Sequence, residues 1–206
     1  MTGSEYEEFG WLGEFGPFHD CACVSFVRSL TPLEALTRLG AGAADVEQVT
    51  FEEFQERTMW CIDADNFRSS YVGAIEAGGW TVLIQLWGGS IGLDRRSMRS
   101  LSLDGELVVV HRNLHASDYF IYAVDGEQVT WFDQLGPHAR TGSDPDRLVK
   151  EMREVGLDPD HDWEGPGIDS TFPRSFALTK RITGVSFSKA MLDSRILAAV
   201  IGNADR

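Results

Sequence analysis

Gly88-Gly89-Ser90-Ile91-Gly92 matches the G-x-S-x-G pattern, in which a serine hydroxyl is exposed on a sharp turn between a strand and a helix. A nucleophile placed there needs a base to take its proton and a carboxylate to orient that base. His111, His115 and His138 are the candidate bases, and Asp133 is the candidate orienting acid. The setting opposes this chemistry. Such an elbow sits on a parallel sheet, whereas Gly78-Gly79 is a two-residue reversal that makes the strand before Ser90 half of an antiparallel hairpin. No oxyanion-loop signature precedes it. A glycine turn between strand and helix is therefore the preferred reading, with a small hydrolase kept as the alternative.

The same loop supports a milder chemistry. Backbone N–H groups of a glycine-rich turn at a helix start attract anions. Trp87, Gly88 and Gly89 together with Arg95 and Arg99, four residues apart on one helix face, form a candidate site for a phosphate or carboxylate. A solvated helix capped by Asp94 is the competing reading.

Two metal patterns fail on their details. Asp158-Pro159-Asp160-His161-Asp162 opens like a calcium loop, but Trp163 stands where the tight turn needs glycine, and the last ligand position is Asp169, not glutamate. Cys21 and Cys23, with His19 and Cys61, lack the C-x₂₋₄-C spacing of structural zinc sites. No metal and no cofactor are expected. Trp87 and Trp163 are the tryptophans expected to be exposed, and Trp163 with Asp160 and Asp162 forms a candidate partner-binding surface.

Charge narrows the partner. The 206 residues carry 18 Lys+Arg against 32 Asp+Glu, a formal net charge of −14. That balance opposes nucleic acid, which is bound by cations on phosphates, and favours a basic protein partner. The 12 Phe, 6 Trp and 4 Tyr exclude a wholly disordered chain. No window approaches the ~18 apolar residues of a membrane span, and no basic, apolar leader begins the chain. Three cysteines are too few to staple a domain, so a cytoplasmic protein with reduced thiols is expected.

The elements that must position these residues are partly readable. Residues 1–18 carry Tyr6, Phe9, Trp11, Phe15 and Phe18, a set expected to dock on the core. Ala22–Val27 reads as a strand. Thr31-Pro32 with Glu34 starts a helix as a capping box that Gly40 can end, and Thr50 caps a shorter one running to about Met59. Tyr71–Ala77 and Trp80–Leu86 form the first hairpin, with Ala77 opposite Trp80 and Ile75 opposite Val82. Asp94–Leu101 reads as a helix, and Leu107–Arg112 is a central strand. Tyr119–Val124 and Glu127–Phe132 flank Asp125-Gly126, which places Phe120 opposite Trp131 and Tyr122 opposite Val129. Ser143-Asp144-Pro145-Asp146 starts a helix that Gly156 and Leu157 close. Two further helices, about 173–183 and 188–201, end the chain.

Several of these pieces recur in a fixed order: Ser25-Phe26-Val27-Arg28, Leu30-Thr31-Pro32 with Glu34-Ala35-Leu36, Gly78-Gly79-Trp80-Thr81-Val82, His111-Arg112-Asn113, Asp125-Gly126 and Ser143-Asp144-Pro145-Asp146. The set resembles an uncharacterised actinobacterial domain family of unknown function, over about residues 11–157 and weakly over Leu178–Gly184. The resemblance implies fold and source and carries over no functional residue.

The expected fold is α+β: a mainly antiparallel sheet of about five to six strands with helices packed on it. Residues 1–157 form the sheet domain, and residues 158–206 an acidic loop and helical pair packed on it. The expected function is non-catalytic binding of a protein partner, as immunity or adaptor proteins do, through an acidic, aromatic-bearing surface. The alternative is a small hydrolase or anion-handling enzyme built on Gly88–Gly92, with Ser90 and Arg95/Arg99.

Overall fold

The computed structural model describes residues 5–113, 118–160 and 168–202. Eight strands form one sheet: β1 (Ala22–Arg28), β2 (Glu47–Val49), β3 (Ser69–Ala77), β4 (Trp80–Leu86), β5 (Glu106–Arg112), β6 (Tyr119–Val124), β7 (Glu127–Asp133) and β8 (Ile196–Gly202). Their order is β2-β8-β3-β4-β1-β5-β6-β7, and every pairing is antiparallel. The helices are α1 (Gly16–Asp20), α2 (Pro32–Arg38), α3 (Phe51–Asp65), α4 (Ser90–Leu93), α5 (Arg95–Ser102), α6 (Val149–Glu154), α7 (Ile168–Thr183) and α8 (Lys189–Leu192).

The sheet is buried on both faces, so its central strands are apolar in both registers. One face presents Val24, Phe26, Ile84, Val108, Val110 and Phe132 to α3, α7 and the N-terminal segment. The other presents Cys23, Val27, Leu83, Val109 and Ile121 to α2, α4 and α5. Phe9, Leu12 and Phe18 are fully buried, so the aromatic N-terminal segment is part of the core.

Local chemistry sets the element boundaries. Both Thr31 and Thr50 complete reciprocal capping boxes with Glu34 and Glu53. At α3, Glu53 N donates to Thr50 Oγ1 at 3.2 Å, and Thr50 N donates to Glu53 Oε2 at 2.7 Å. Thr50→Ala is expected to lower stability by about 1 kcal/mol in urea unfolding, through the loss of this cap. Gly156 lies at φ +79°, and Leu157 N donates to Met152 O at 2.9 Å, which closes α6 in the expected way.

Five expectations need correction. The sheet has eight strands, not five to six, because β8 adds beside β3 and β2 beside β8. The expected second C-terminal helix is instead the short α8 followed by β8, which inserts between β2 and β3. In the second hairpin Phe120 pairs with Phe132 and Tyr122 with Thr130, since a bulge shifts the register between Tyr122 and Ala123. Finally, α3 continues past Met59 to Asp65, and α6 starts at Val149 with no side-chain cap from Ser143 or Asp144.

Those latter residues serve the sheet instead. The chain returns along the outer side of β7, where Trp131 N donates to Thr141 O at 2.7 Å and Thr141 N to Trp131 O at 2.8 Å. Ser143 N and Asp144 N donate to Gln128 O and Val129 O at 3.1 and 3.0 Å. Gly142, at φ +131°, makes this approach possible: a methyl group there would lie 2.1 Å from the Val129 carbonyl oxygen.

Candidate functional site

One end of the sheet gathers most of the residues that the sequence singles out. A register row crosses five strands there: Gln85, Cys23, His111, Tyr119 and Asp133. The His111 and Tyr119 rings stack at 5.8 Å, and Tyr119 meets Trp131 at 5.2 Å. Over this row lies the glycine loop. A methyl group on Gly89 would come within 2.0 Å of His111 Nε2, and one on Gly92 within 2.9 Å of Val109 Cγ1. The glycines therefore let the loop and α4 lie directly on the sheet. Gln85 ties the two together, its Nε2 donating to Ser70 Oγ at 2.8 Å and its Oε1 accepting from Ile91 N at 3.4 Å.

This arrangement brings Gly89 against His111 but separates His111 from Asp133. Strand β6 lies between them, a distance of about 10 Å at ordinary strand spacing. Asp133 Oδ1 accepts instead from Leu135 N at 2.9 Å. Ser90 is the first residue of α4, and β4 runs antiparallel to both of its neighbours, β1 and β3. Of the three histidines considered as bases, His138 lies on a one-turn helix beyond β7, and His115 is outside the described residues.

The candidate anion site is likewise dispersed. The first turn of α5 already holds a carboxylate, since Asp94 accepts from Arg96 N at 3.2 Å and Ser97 N at 2.8 Å. Arg95 and Arg99 are exposed, and Arg99 packs on Gly126 at the opposite end of the sheet from Gly88. Trp87 is half-buried, its N–H bound to Cys21 O at 2.9 Å. With Gly88, Gly89, Phe67 and Ser70 it lines a cavity of about 60 Å³, room for about two waters. Trp163 and Asp162 lie outside the described residues. Asp160 is exposed and paired with Arg153 at 2.6 Å. No group of His, Cys, Asp or Glu among the described residues is placed to hold a metal.

Sequence reading missed two features. The first is a buried charge pair at the same end of the sheet, on the opposite face. Asp118 is 0% exposed and Arg112 6%, with Arg112 Nε 3.9 Å from Asp118 Oδ2. The guanidinium also lies over the Phe172 ring at 5.1 Å. Burial outweighs Arg112 and the Asn113 N–H that Asp118 accepts, pushing the Asp118 carboxyl up to about 6. Burial also raises Cys23, to about 11, which leaves its thiol neutral and unreactive.

The second is an apolar cavity of about 370 Å³ between α3 and β3/β8. Trp60, 80% exposed, forms its outer wall, with Cys61, Ala64, Tyr71 and Val200 behind it. Glu47, Arg57 and Asp65 stand at the rim. Tyr71 Oη donates to Glu47 Oε1 at 2.8 Å, and Arg57 pairs with the same carboxylate. Asp65 accepts from Ser69 Oγ, and Cys61 Sγ lies 3.2 Å from Ser69 Oγ. Met59 and Phe67, both 46% exposed, do not line this cavity, and Phe67 belongs to the smaller cavity beside Trp87. Helical spacing carries a signal for this site. Once Phe54, Thr58 and Cys61 face inward, Arg57, Trp60 and Ala64 form the adjoining stripe. That stripe sets a tryptophan on the non-core side of a helix carrying Glu52, Glu53, Glu56, Asp63 and Asp65 against one Arg57.

Comparison with known proteins adds a family. A model described as a family of unknown function (DUF6461) matches residues 2–203. No curated protein and no solved structure matches the chain.

Proposed function

We propose, for a chain that belongs to this family of unknown function (DUF6461), that it is a non-catalytic binding protein that recognises a basic protein partner through an acidic, aromatic-bearing surface. The observation that carries this reading is Trp60, four-fifths exposed at the mouth of an apolar cavity and set on a helix with five carboxylates and one arginine. A large ring held rigid by a helix loses little entropy on docking, and carboxylates around it steer a cationic partner. This reading takes Trp60 of α3 as the anchor; the surface of Trp163, Asp160 and Asp162 is not tested by it, since Trp163 and Asp162 lie outside the described residues. No helix among the described residues is long and apolar enough to cross a membrane. A cytoplasmic setting in an actinobacterial cell is part of the same proposal.

The test is paired capture from native lysate at low and moderate salt, with wild-type protein and Trp60→Ala immobilised side by side. Wild type is expected to retain a discrete basic protein that Trp60→Ala loses by about tenfold or more, the scale of a hot-spot residue. Retention should fall with salt as the steering charges are screened. Equal retention by both proteins, or none by either, overturns the reading. Urea unfolding of Trp60→Ala should match wild type, since a side chain this exposed adds little to stability.

A further inference from the structure

The two outer sides of the sheet differ. The outer side of β7 is occupied by the returning chain at 141–144. On the other outer side β2 covers only part of β8: Glu47, Gln48 and Val49 pair with Ala198, Leu197 and Ile196. Ala199–Gly202 run on beyond β2, paired with β3 on one side and with no strand of the described residues on the other. A three-residue turn of 3-10 helix, Ala43–Asp45, leads the chain into β2 and replaces any longer pairing strand. An open row of backbone donors and acceptors is a template for another strand.

That open stretch borders the Trp60 cavity. Val200 belongs to both: it is 54% exposed, lines the cavity and lies midway along the unpaired segment. A strand laid beside β8 at the usual spacing of about 4.8 Å sets alternate side chains level with Val200, on the side where the cavity opens. We infer that Ala199–Gly202 of β8 accept an extended, basic segment of the partner as an added strand, one apolar side chain of which seats against Trp60. Main-chain pairing supplies sequence-independent affinity, and the cavity selects the residue that enters it.

Charge decides the occupant. The outward side of α3 carries Glu52, Glu53, Glu56 and Asp63 exposed against Arg57, and Glu47 and Asp65 rim the cavity. A segment alternating apolar residues with Lys or Arg complements this surface. A second copy of the chain, itself at −14, would bring like charge to it.

The inference rests on the proposed partner-binding role and is tested separately from it. A phage-displayed library of random twelve-residue peptides is selected on the full chain, and enriched peptides are synthesised with and without N-methylation of alternate amides. The expected result is enrichment of apolar residues alternating with Lys or Arg. Affinity should drop about tenfold or more when the amides facing β8 are methylated, and similarly in Trp60→Ala. Hydrogen exchange at Ala199–Gly202 should slow when peptide binds. Undiminished binding of N-methylated peptides, or unchanged exchange at β8, overturns strand addition while leaving the lysate result intact. A library without Trp60-dependent binders, or concentration-dependent dimerisation that protects the same amides, also overturns it. If lysate capture fails by itself, the broader role falls, and a peptide-binding edge would still be read by exchange.

Discussion

Phe187→Ala is expected to cost about 3–5 kcal/mol of stability, the range for emptying a large aromatic from a closed core. Phe187 is 1% exposed and sits where separate parts of the chain meet. Its ring lies 5.5 Å from Phe18, 5.8 Å from Trp11, 5.4 Å from Phe176 on α7 and 6.4 Å from Phe26 on β1. Removing it leaves a cavity and also unseats the N-terminal segment, whose Trp11 and Phe18 use that ring as a wall. The measurement is urea unfolding followed by near-ultraviolet circular dichroism, with limited proteolysis of residues 5–20 as a second readout. A loss below about 1 kcal/mol with an intact N-terminal segment contradicts this account, because only a site that collapses fully escapes the cavity term.

Asp118→Ala is expected to cost about 3 kcal/mol at neutral pH. It removes the carboxylate facing the buried Arg112 and the acceptor of the Asn113 N–H, which donates to Asp118 Oδ1 at 3.0 Å. Asp118→Asn keeps an acceptor and should cost less. Its diagnostic is pH dependence. The folded carboxyl is pushed up to about 6, above the unfolded value of about 3.9, so the folded state holds a proton that the unfolded state has released. Wild type therefore has the full contribution of the protonated group below about pH 4 and loses it as pH rises through about 6. Asparagine has no proton to lose. The stability gap between wild type and Asp118→Asn should narrow by about 1–2 kcal/mol from pH 4.5 to 7. A gap that is constant over this range, or widens, shows that the carboxyl is already ionised in the folded protein at acid pH.

What was legible in the sequence was what short-range chemistry controls. Thr31 with Glu34, Thr50 with Glu53, and the reversals at Gly78-Gly79 and Asp125-Gly126 each carry their instruction within a few residues. The antiparallel sheet follows from those reversals. Strand β8 was not legible. Residues 196–201 mix helix-favouring Leu197, Ala198 and Ala199 with β-branched Ile196, Val200 and Ile201, and pairing with β2 and β3, more than a hundred residues away, decides for the strand. The bulge opposite Tyr122 was hidden because a one-residue slip is set by sheet packing and by the return at 141–144, not by the turn.

The candidate site divides in the same way. Gly88, Gly89 and Gly92 were recognisable as a loop. Their reason, close approach to His111 and Val109, depends on a strand that follows them in sequence and lies under them in space. Asp133 looked like a partner for His111 because sequence order says nothing of the strand between them. The pairing of Asp118 with Arg112 is not readable from the sequence, because ionisable residues are ordinarily solvated and only the fold reveals that both are enclosed. Trp60 was the recoverable omission, since the stripe it occupies follows from α3's own periodicity.

The closure of β7 by residues 141–144, with Gly142 at its tightest point, has a consequence for assembly state. A sheet that could be extended from both sides would let molecules add head to tail without limit, the arithmetic of a fibre. Among the described residues only the β8 side offers an unpaired stretch, so on the strand addition inferred above any addition is also a termination. On that same inference, one guest strand is expected to saturate one molecule, so titration of peptide should end at one to one.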